Sequence, residues 1–171
     1  MDELRINVAQ LLKSPVGTVR RYEIEGKVDI CGNGAASDAR GDVELVRTDQ
    51  SILVRANVTT SVEIDCSRCL TMFRAPLVLN IEEEYFPTVN IVSGGPMSVP
   101  SDPGGFVIDE RHTLDLIEAI RQYALVGTPM KPLCRPDCRG LCPGFGAKLN
   151  AGACRCPAEA HTLPARSPED R

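Results

Sequence analysis

Cysteine is the residue type that points most clearly to a chemical role in this chain. Eight of its 171 residues are cysteines. Cys66 and Cys69 form a Cys-x2-Cys pair, and Cys134 and Cys138 form a Cys-x3-Cys pair. Such short gaps let both sulfurs of a pair turn toward one point, and four thiolates complete the tetrahedral shell of a structural zinc ion. The spacing therefore predicts one structural Zn²⁺ bound by these four cysteines.

Two other interpretations of the same cysteines stay open. A lone Cys-x2-Cys pair is also the redox motif of thioredoxin-like proteins, although that motif opens a helix after a strand. Cysteines also pack as small buried hydrophobic residues. Cys31 stands apart from the pairs and is expected to be a buried or loop thiol.

A second, incomplete group of cysteines follows the first. It comprises Cys142, Cys154 and Cys156. The segment after Cys142 is similar to a zinc-ribbon knuckle, but Phe145 stands where a second cysteine would fall. Three sulfurs could bind a second ion with His161 as the fourth ligand, or the group could bind no metal.

Composition and charge exclude several classes of protein. Hydrophobic residues make up 43% of the chain and aromatic residues only 4%, which predicts an aliphatic core. A net charge of −4 argues against a protein that coats nucleic acid by bulk charge. The chain opens without an apolar signal segment and has no apolar run of membrane length, so we expect a cytoplasmic protein with reduced thiols. Two histidines and no phosphate loop or nucleophile elbow predict a protein that is not an enzyme.

The charge is unevenly distributed along the chain. Residues 111–156 carry seven basic and three acidic residues, which leaves a net charge of −8 on the rest. Basic side chains between metal ligands can present a rigid surface to phosphates, and Arg68, Arg135 and Arg139 are the candidate contacts to RNA or a partner. The alternative is that these charges serve ordinary solubility.

Alternating hydrophobicity predicts the strands that position the first cysteine pair. Apolar residues occupy the even positions from Ile52 to Cys66 except Thr60, and a second alternating run extends from Phe73 to Tyr85. Two such runs predict a long antiparallel hairpin with Cys66 and Cys69 at its tip. Shorter patterns predict strands at 20–26 and 42–48, a strand running into a helical turn at 6–12, a loop over 31–41, and a solvated acidic edge at 82–84.

Helical spacing appears after the strands. Thr113 is the predicted N-cap of a helix whose apolar positions are Leu114, Ile117, Ile120, Ala124 and Leu125. The predicted fold class is α+β. It combines an antiparallel β-rich sheet or partial barrel, a long hairpin, one or two helices and a C-terminal cysteine-rich zinc-binding segment. The predicted organisation is a core over 1–92, a flexible linker or loop over 93–110, a helix and cysteine-rich segment over 111–156 packed on the core, and a disordered tail over 157–171.

Taken together, these motifs resemble the YceD family of large ribosomal RNA subunit accumulation proteins. The chain opening at 6–17 is similar to the start of the family. The other segments that carry the resemblance are Asp65-Cys66-Ser67-Arg68-Cys69-Leu70, Glu82-Glu83-Glu84-Tyr85, Asp115-Leu116-Ile117-Glu118, Pro132-Leu133-Cys134, Asp137-Cys138-Arg139-Gly140-Leu141-Cys142-Pro143, Gly146-Ala147-Lys148-Leu149-Asn150 and Cys154-Arg155-Cys156. The family usually has a Cys-Pro-x-Cys-Gly knuckle, from which Phe145 departs.

The resemblance implies a non-catalytic role in the accumulation of large-subunit ribosomal RNA and in ribosome assembly. Its implied partner is precursor ribosomal RNA or a large-subunit ribosomal protein, with no membrane and no small-molecule substrate. No catalytic residue is implied. The alternative is a zinc-stabilised protein-interaction module without direct RNA contact, in which the edge of the hairpin pairs with a strand of the partner.

Overall fold

A computed structural model describes residues 4–32, 34–98, 105–152 and 154 of the chain. Strands dominate this part of the molecule, with two helices beside them, which confirms the predicted α+β class. The elements in chain order are β1 (Arg5–Asn7), α1 (Ala9–Leu12), β2 (Val19–Val28), β3 (Ser37–Arg47), β4 (Ile52–Asp65), β5 (Met72–Pro87), β6 (Phe106–Ile108), β7 (Thr113–Asp115) and α2 (Ile117–Gly127).

The strands form one sheet in the order β1-β7-β6-β5-β4-β3-β2. The pairs β2–β3, β3–β4, β6–β7 and β1–β7 are antiparallel, as predicted for the sheet. The pair β5–β6 is parallel, with Tyr85 opposite Phe106. The predicted hairpin corresponds to β4 and β5, which are neighbours in the sheet and are joined by residues 66–71.

The period-two pattern of the long strands separates a buried face from an exposed one. In β4, Val54 and Val58 are buried, whereas Arg55 and Asn57 between them are exposed. Successive side chains of a strand point to opposite faces, so this sequence pattern selects strand over helix. The core is mainly aliphatic, and it includes a stack of the buried Tyr85 and Phe106 rings, whose centroids lie 5.0 Å apart.

Three local predictions differ from the structure. Ser37–Gly41, predicted as loop, begins β3 because each of these residues pairs with β2, and this ladder outweighs the local composition. Thr113 lies in β7 and is not the N-cap of α2; that position belongs to Leu116. Glu83 is half-buried and accepts a hydrogen bond of 2.9 Å from the Tyr123 hydroxyl, so the acidic edge is only partly solvated.

The chain divides into two compact units, which we call the sheet unit and the cysteine unit. The sheet unit comprises Met1–Val62 and Pro76–Thr128, and the cysteine unit comprises Glu63–Ala75 and Pro129–Arg171. The predicted domain limits differ from this division and remain predictions, and the tail over 157–171 lies outside the described residues. Phe106–Ile108 form β6 within the segment predicted as linker or loop.

No helix among the described residues is long and apolar enough to cross a lipid bilayer.

Candidate metal centre

The first cysteine pair lies in the short connection between β4 and β5. The Cys66 amide donates to the Thr71 carbonyl at 3.0 Å, and the Leu70 amide donates to the Cys66 carbonyl at 2.9 Å. The chain completes this turn with Leu70 at a φ of 52°, an uncommon conformation for a residue other than glycine. The turn buries both Cys66 and Cys69, whose exposed fractions are 0% and 1%.

The second pair is brought to the first by contacts that involve main-chain groups. The Ser67 amide donates to the Pro132 carbonyl at 2.8 Å, just before Cys134. The Arg68 guanidinium donates to the Cys138 carbonyl at 2.9 Å. Gly140 adopts a φ of 76° and passes so close to Arg68 that a Cβ atom there would lie 3.2 Å from the Arg68 carbonyl oxygen. These contacts hold the two segments of the cysteine unit together.

All four predicted ligands meet at one point. Their Sγ atoms lie within 4.8 Å of one another, and the Cys66–Cys138 and Cys69–Cys134 sulfur pairs are each 3.7 Å apart. A zinc ion bonded to four sulfurs at ~2.3 Å requires tetrahedral edges of ~3.8 Å, whereas a disulfide would need ~2.05 Å. The four thiols are therefore spaced for a metal ion that they could hold together.

The environment shifts the pKa values of three of these thiols, and not all in the same direction. A hydrogen bond from the Cys134 backbone amide lowers the pKa of Cys66 to about 6, and a side-chain hydrogen bond with Thr71 also lowers the pKa of Cys69. Burial raises the pKa of Cys134 to about 12. Thiolates are the form that binds metal, so an ion entering here would displace the protons that remain.

Asn150 is a residue of this site that the spacing of the cysteines did not reveal. Its side-chain amide nitrogen lies 3.1 Å from Cys138 Sγ and donates a hydrogen bond to it. Its side-chain oxygen accepts a hydrogen bond of 2.8 Å from the Arg139 amide. The only sequence signal was its position at the end of the Gly146–Asn150 motif, which by itself does not indicate contact with a sulfur.

The second cysteine group is only partly described by the structure. Cys142 and Cys154 have their sulfurs 3.1 Å apart, while Cys156 and the proposed fourth ligand His161 lie outside the described residues. The Cys142 amide donates to the Ala147 carbonyl, and Phe145 is 74% exposed on the turn between them. The possible second metal site therefore remains a prediction.

The three arginines predicted to contact RNA or a partner all lie in the cysteine unit. Their side chains differ in contacts and exposure. Arg68 is held by its bond to the Cys138 carbonyl. Arg135 faces Asp137 at 3.6 Å, and its side chain is 45% exposed. Arg139 is exposed. Cys31, apart from both groups, is exposed in the loop after β2.

Comparison with known proteins places this chain among its relatives. The family described as Large ribosomal RNA subunit accumulation protein YceD matches residues 54–165. Uncharacterized proteins of Mycobacterium tuberculosis and Mycobacterium bovis are each 31% identical over 109 residues, which is 63% of this chain and 50% of theirs. One of Mycobacterium leprae is 28% identical over 109 residues, 63% of this chain and 48% of its own.

The chain spans about half the length of the curated relatives that it matches. No solved structure matches it. The family match covers more than half of the chain and includes all four clustered cysteines, so the chain belongs to the YceD family.

Proposed function

We propose that this YceD-family chain is a non-catalytic cytoplasmic factor that supports the accumulation of large-subunit ribosomal RNA during ribosome assembly. One structural Zn²⁺, bound by Cys66, Cys69, Cys134 and Cys138, stabilises its cysteine unit. The family match over residues 54–165 supports the role in ribosomal RNA accumulation, and the convergence of four sulfurs within 4.8 Å supports the zinc centre. Four protein ligands close the coordination shell and leave no position for a substrate, which favours a structural role over catalysis.

Zinc is the metal that best suits this ligand set. Tetrahedral sites of four thiolates select zinc or iron. Of these two metals only zinc is redox-inactive, which suits a purely structural role. Structural zinc contributes on the order of 10 kcal/mol to the folding of small domains. We expect one zinc per native chain and none in Cys66→Ser, measured by elemental analysis. Two ions in the native chain falling to one would instead support a second site at Cys142, Cys154 and Cys156.

The cysteine unit is the part of the molecule that suits contact with ribosomal RNA. Its described residues include six basic and three acidic side chains, against a net charge of −4 for the whole chain. Arg135 and Arg139 expose their side chains on the segment that carries two of the ligands. A metal-held backbone would fix these guanidinium groups, which can bind phosphate oxygens in a bidentate manner.

Charge reversal tests this surface. Arg135→Glu with Arg139→Glu should strongly reduce co-sedimentation with precursor large subunits while zinc content stays at one per chain. Arg68 is left unchanged because its guanidinium also supports the Cys138 carbonyl. The matched control is Lys13→Glu with Lys27→Glu, which makes the same charge change at exposed positions of the sheet unit. Co-sedimentation equal to wild type in the Arg135/Arg139 variant would remove this surface from consideration.

A second candidate function is a zinc-stabilised protein-interaction module without RNA contact. Pairing of β5 with β6 covers Tyr85–Pro87, so within the described residues the stretch Met72–Glu84 has a strand neighbour only on the β4 side. An exposed strand edge can accept a strand from a partner. The salt dependence of binding distinguishes the two functions. Phosphate contacts weaken steeply between 50 and 200 mM salt, whereas strand addition does not.

A further inference from the structure

Asn150 connects the loop that follows Cys138 to the sulfur of that cysteine. The loop turns back on itself, because the Leu149 amide donates to the Gly140 carbonyl at 3.0 Å and Leu141 pairs with Lys148. This return places the Asn150 side chain beside Cys138. The loop therefore begins at Cys138 and returns to the side chain of the same cysteine through Asn150.

The orientation of the Asn150 amide follows from its partners. The Arg139 backbone amide can only donate, so the Asn150 oxygen must face it, at 2.8 Å. The amide nitrogen therefore faces the Cys138 sulfur, at 3.1 Å. An N–H group that points at a thiolate stabilises its negative charge, since hydrogen bonds to ionised acceptors are stronger than those to neutral ones.

We propose that Asn150 is a positioning residue of the metal centre, whose amide N–H stabilises the metal-bound thiolate of Cys138 and slows release of the ion. The inference rests on the proposed four-cysteine zinc centre. Cys138 is only 2% exposed, so water offers little compensation for the loss of this donor. Residues that hold the ligands of a metal from outside its shell change metal affinity by ~10- to 100-fold when they are replaced.

Two replacements at one position separate this role from simple support of the loop. Asn150→Asp keeps an oxygen that can accept from the Arg139 amide, but it replaces the N–H donor with a carboxylate beside the thiolate. Asn150→Ala removes both hydrogen bonds. Support of the loop alone predicts that Asp is milder than Ala. Stabilisation of the thiolate predicts that Asp is at least as damaging as Ala, because like charges then face each other.

The experiment measures release of zinc from the full chain to a chromophoric chelator, and the sulfur-to-cobalt charge-transfer band after cobalt substitution. We expect ~10- to 100-fold faster zinc release from Asn150→Asp than from wild type, with a shifted charge-transfer band. The control is Asn80→Asp, an exposed position of β5 in the sheet unit, which should match wild type in both measurements.

The outcomes distinguish this inference from the proposal on which it rests. Release at the wild-type rate from Asn150→Asp with an unshifted band would overturn the role of Asn150 and leave the zinc centre intact. A milder effect of Asp than of Ala would also overturn it, in favour of loop support. A wild-type chain without bound metal would refute the zinc centre and the inference together.

Discussion

Different forces stabilise the sheet unit and the cysteine unit, each within itself. The sheet unit buries a large aliphatic core that includes Val58, Leu114 and Ile120, each at 0% exposure. The buried cluster of the cysteine unit consists of Cys66, Cys69 and Cys138, with partly buried neighbours that are Phe73, Leu133, Cys134 and Leu141. Apolar burial stabilises the first unit at ~25 cal/mol per Å², whereas the second has little apolar area to bury. Under the proposed function, metal binding takes the place of a core in the cysteine unit.

Removal of the metal should produce the largest difference between the units. A strong chelator should unfold the cysteine unit, because a structural zinc contributes on the order of 10 kcal/mol. Amide hydrogen exchange should show lost protection at Cys66 and Leu70 and retained protection at Val58. Cys31→Ser, at an exposed site of the sheet unit, is the control and should change neither region. Equal loss of protection in both units would contradict the comparison.

A methyl group at Gly41 should destabilise the sheet unit through its packing. A Cβ atom there would overlap the Asn57 carbonyl oxygen and lie 2.8 Å from Val58 Cα, both in the neighbouring strand β4. Overpacking of this kind costs ~1–3 kcal/mol, so Gly41→Ala should lower the free energy of unfolding by that amount in urea denaturation.

Gly127→Ala is the matched control for this substitution. Its Cβ atom would meet only Leu79 Cδ2 at an ordinary 3.6 Å, at the end of α2. Alanine favours helix over glycine, so this variant should be neutral or slightly stabilising. A Gly41→Ala protein as stable as wild type would show that β3 and β4 can separate at this point without cost.

Removal of one charge from the exposed face of the sheet should stabilise it. Glu23 and Asp42 are direct cross-strand partners of like charge, and neither forms an ion pair within the described part of the chain. Like charges in this arrangement are destabilising by ~0.2–1 kcal/mol, so Asp42→Asn should raise the melting temperature at low salt, and less at high salt.

Glu44→Gln is the contrasting variant on the same face. It removes the partner of Arg21, whose guanidinium lies 2.9 Å from the Glu44 carboxylate. This variant should leave the melting temperature unchanged or slightly lower, because exposed ion pairs contribute little. A fall in melting temperature with Asp42→Asn would mean that repulsion from Glu23 does not destabilise the folded state.

The smallest predicted effect is the pH dependence of one ion pair on α2. Hydrogen bonds from Arg121 lower the pKa of Glu118 to about 2, with Gln122 contributing less. The folded pKa lies below the unfolded value of ~4.3, so the pair stabilises above that value and loses its contribution as the pH falls toward 2. Both side chains are over one-third exposed, which limits the contribution to ~0.3–0.5 kcal/mol.

Glu118→Gln tests this dependence. The difference in unfolding free energy between wild type and variant should be largest near pH 7 and should shrink below pH 4. A difference that is constant from pH 7 to pH 3 would show that the charge of Glu118 contributes nothing. Glu118→Gln should leave the zinc content and the hydrogen-exchange protection of the cysteine unit unchanged.

Local pattern was sufficient to predict the main strands and the position of the first cysteine pair between two of them. Alternation along β4 and β5 follows from the geometry of a half-buried strand, and the two-residue gap between Cys66 and Cys69 lets both sulfurs turn toward one point. The strand β6 has only three residues and depends on pairing with Tyr85–Pro87, so no local period reveals it. Asn150 was missed for a related reason, because its contact with Cys138 exists only after the loop has folded back.

X-ray absorption at the zinc edge of the native chain is the sharpest test of the proposed four-cysteine zinc centre. We expect the ion to be surrounded by four sulfurs at ~2.3 Å. Sulfur pairs at 3.7 Å in the structure already match the edges of such a shell. A shell with two sulfurs and lighter atoms, or a native chain that binds no zinc, would contradict it.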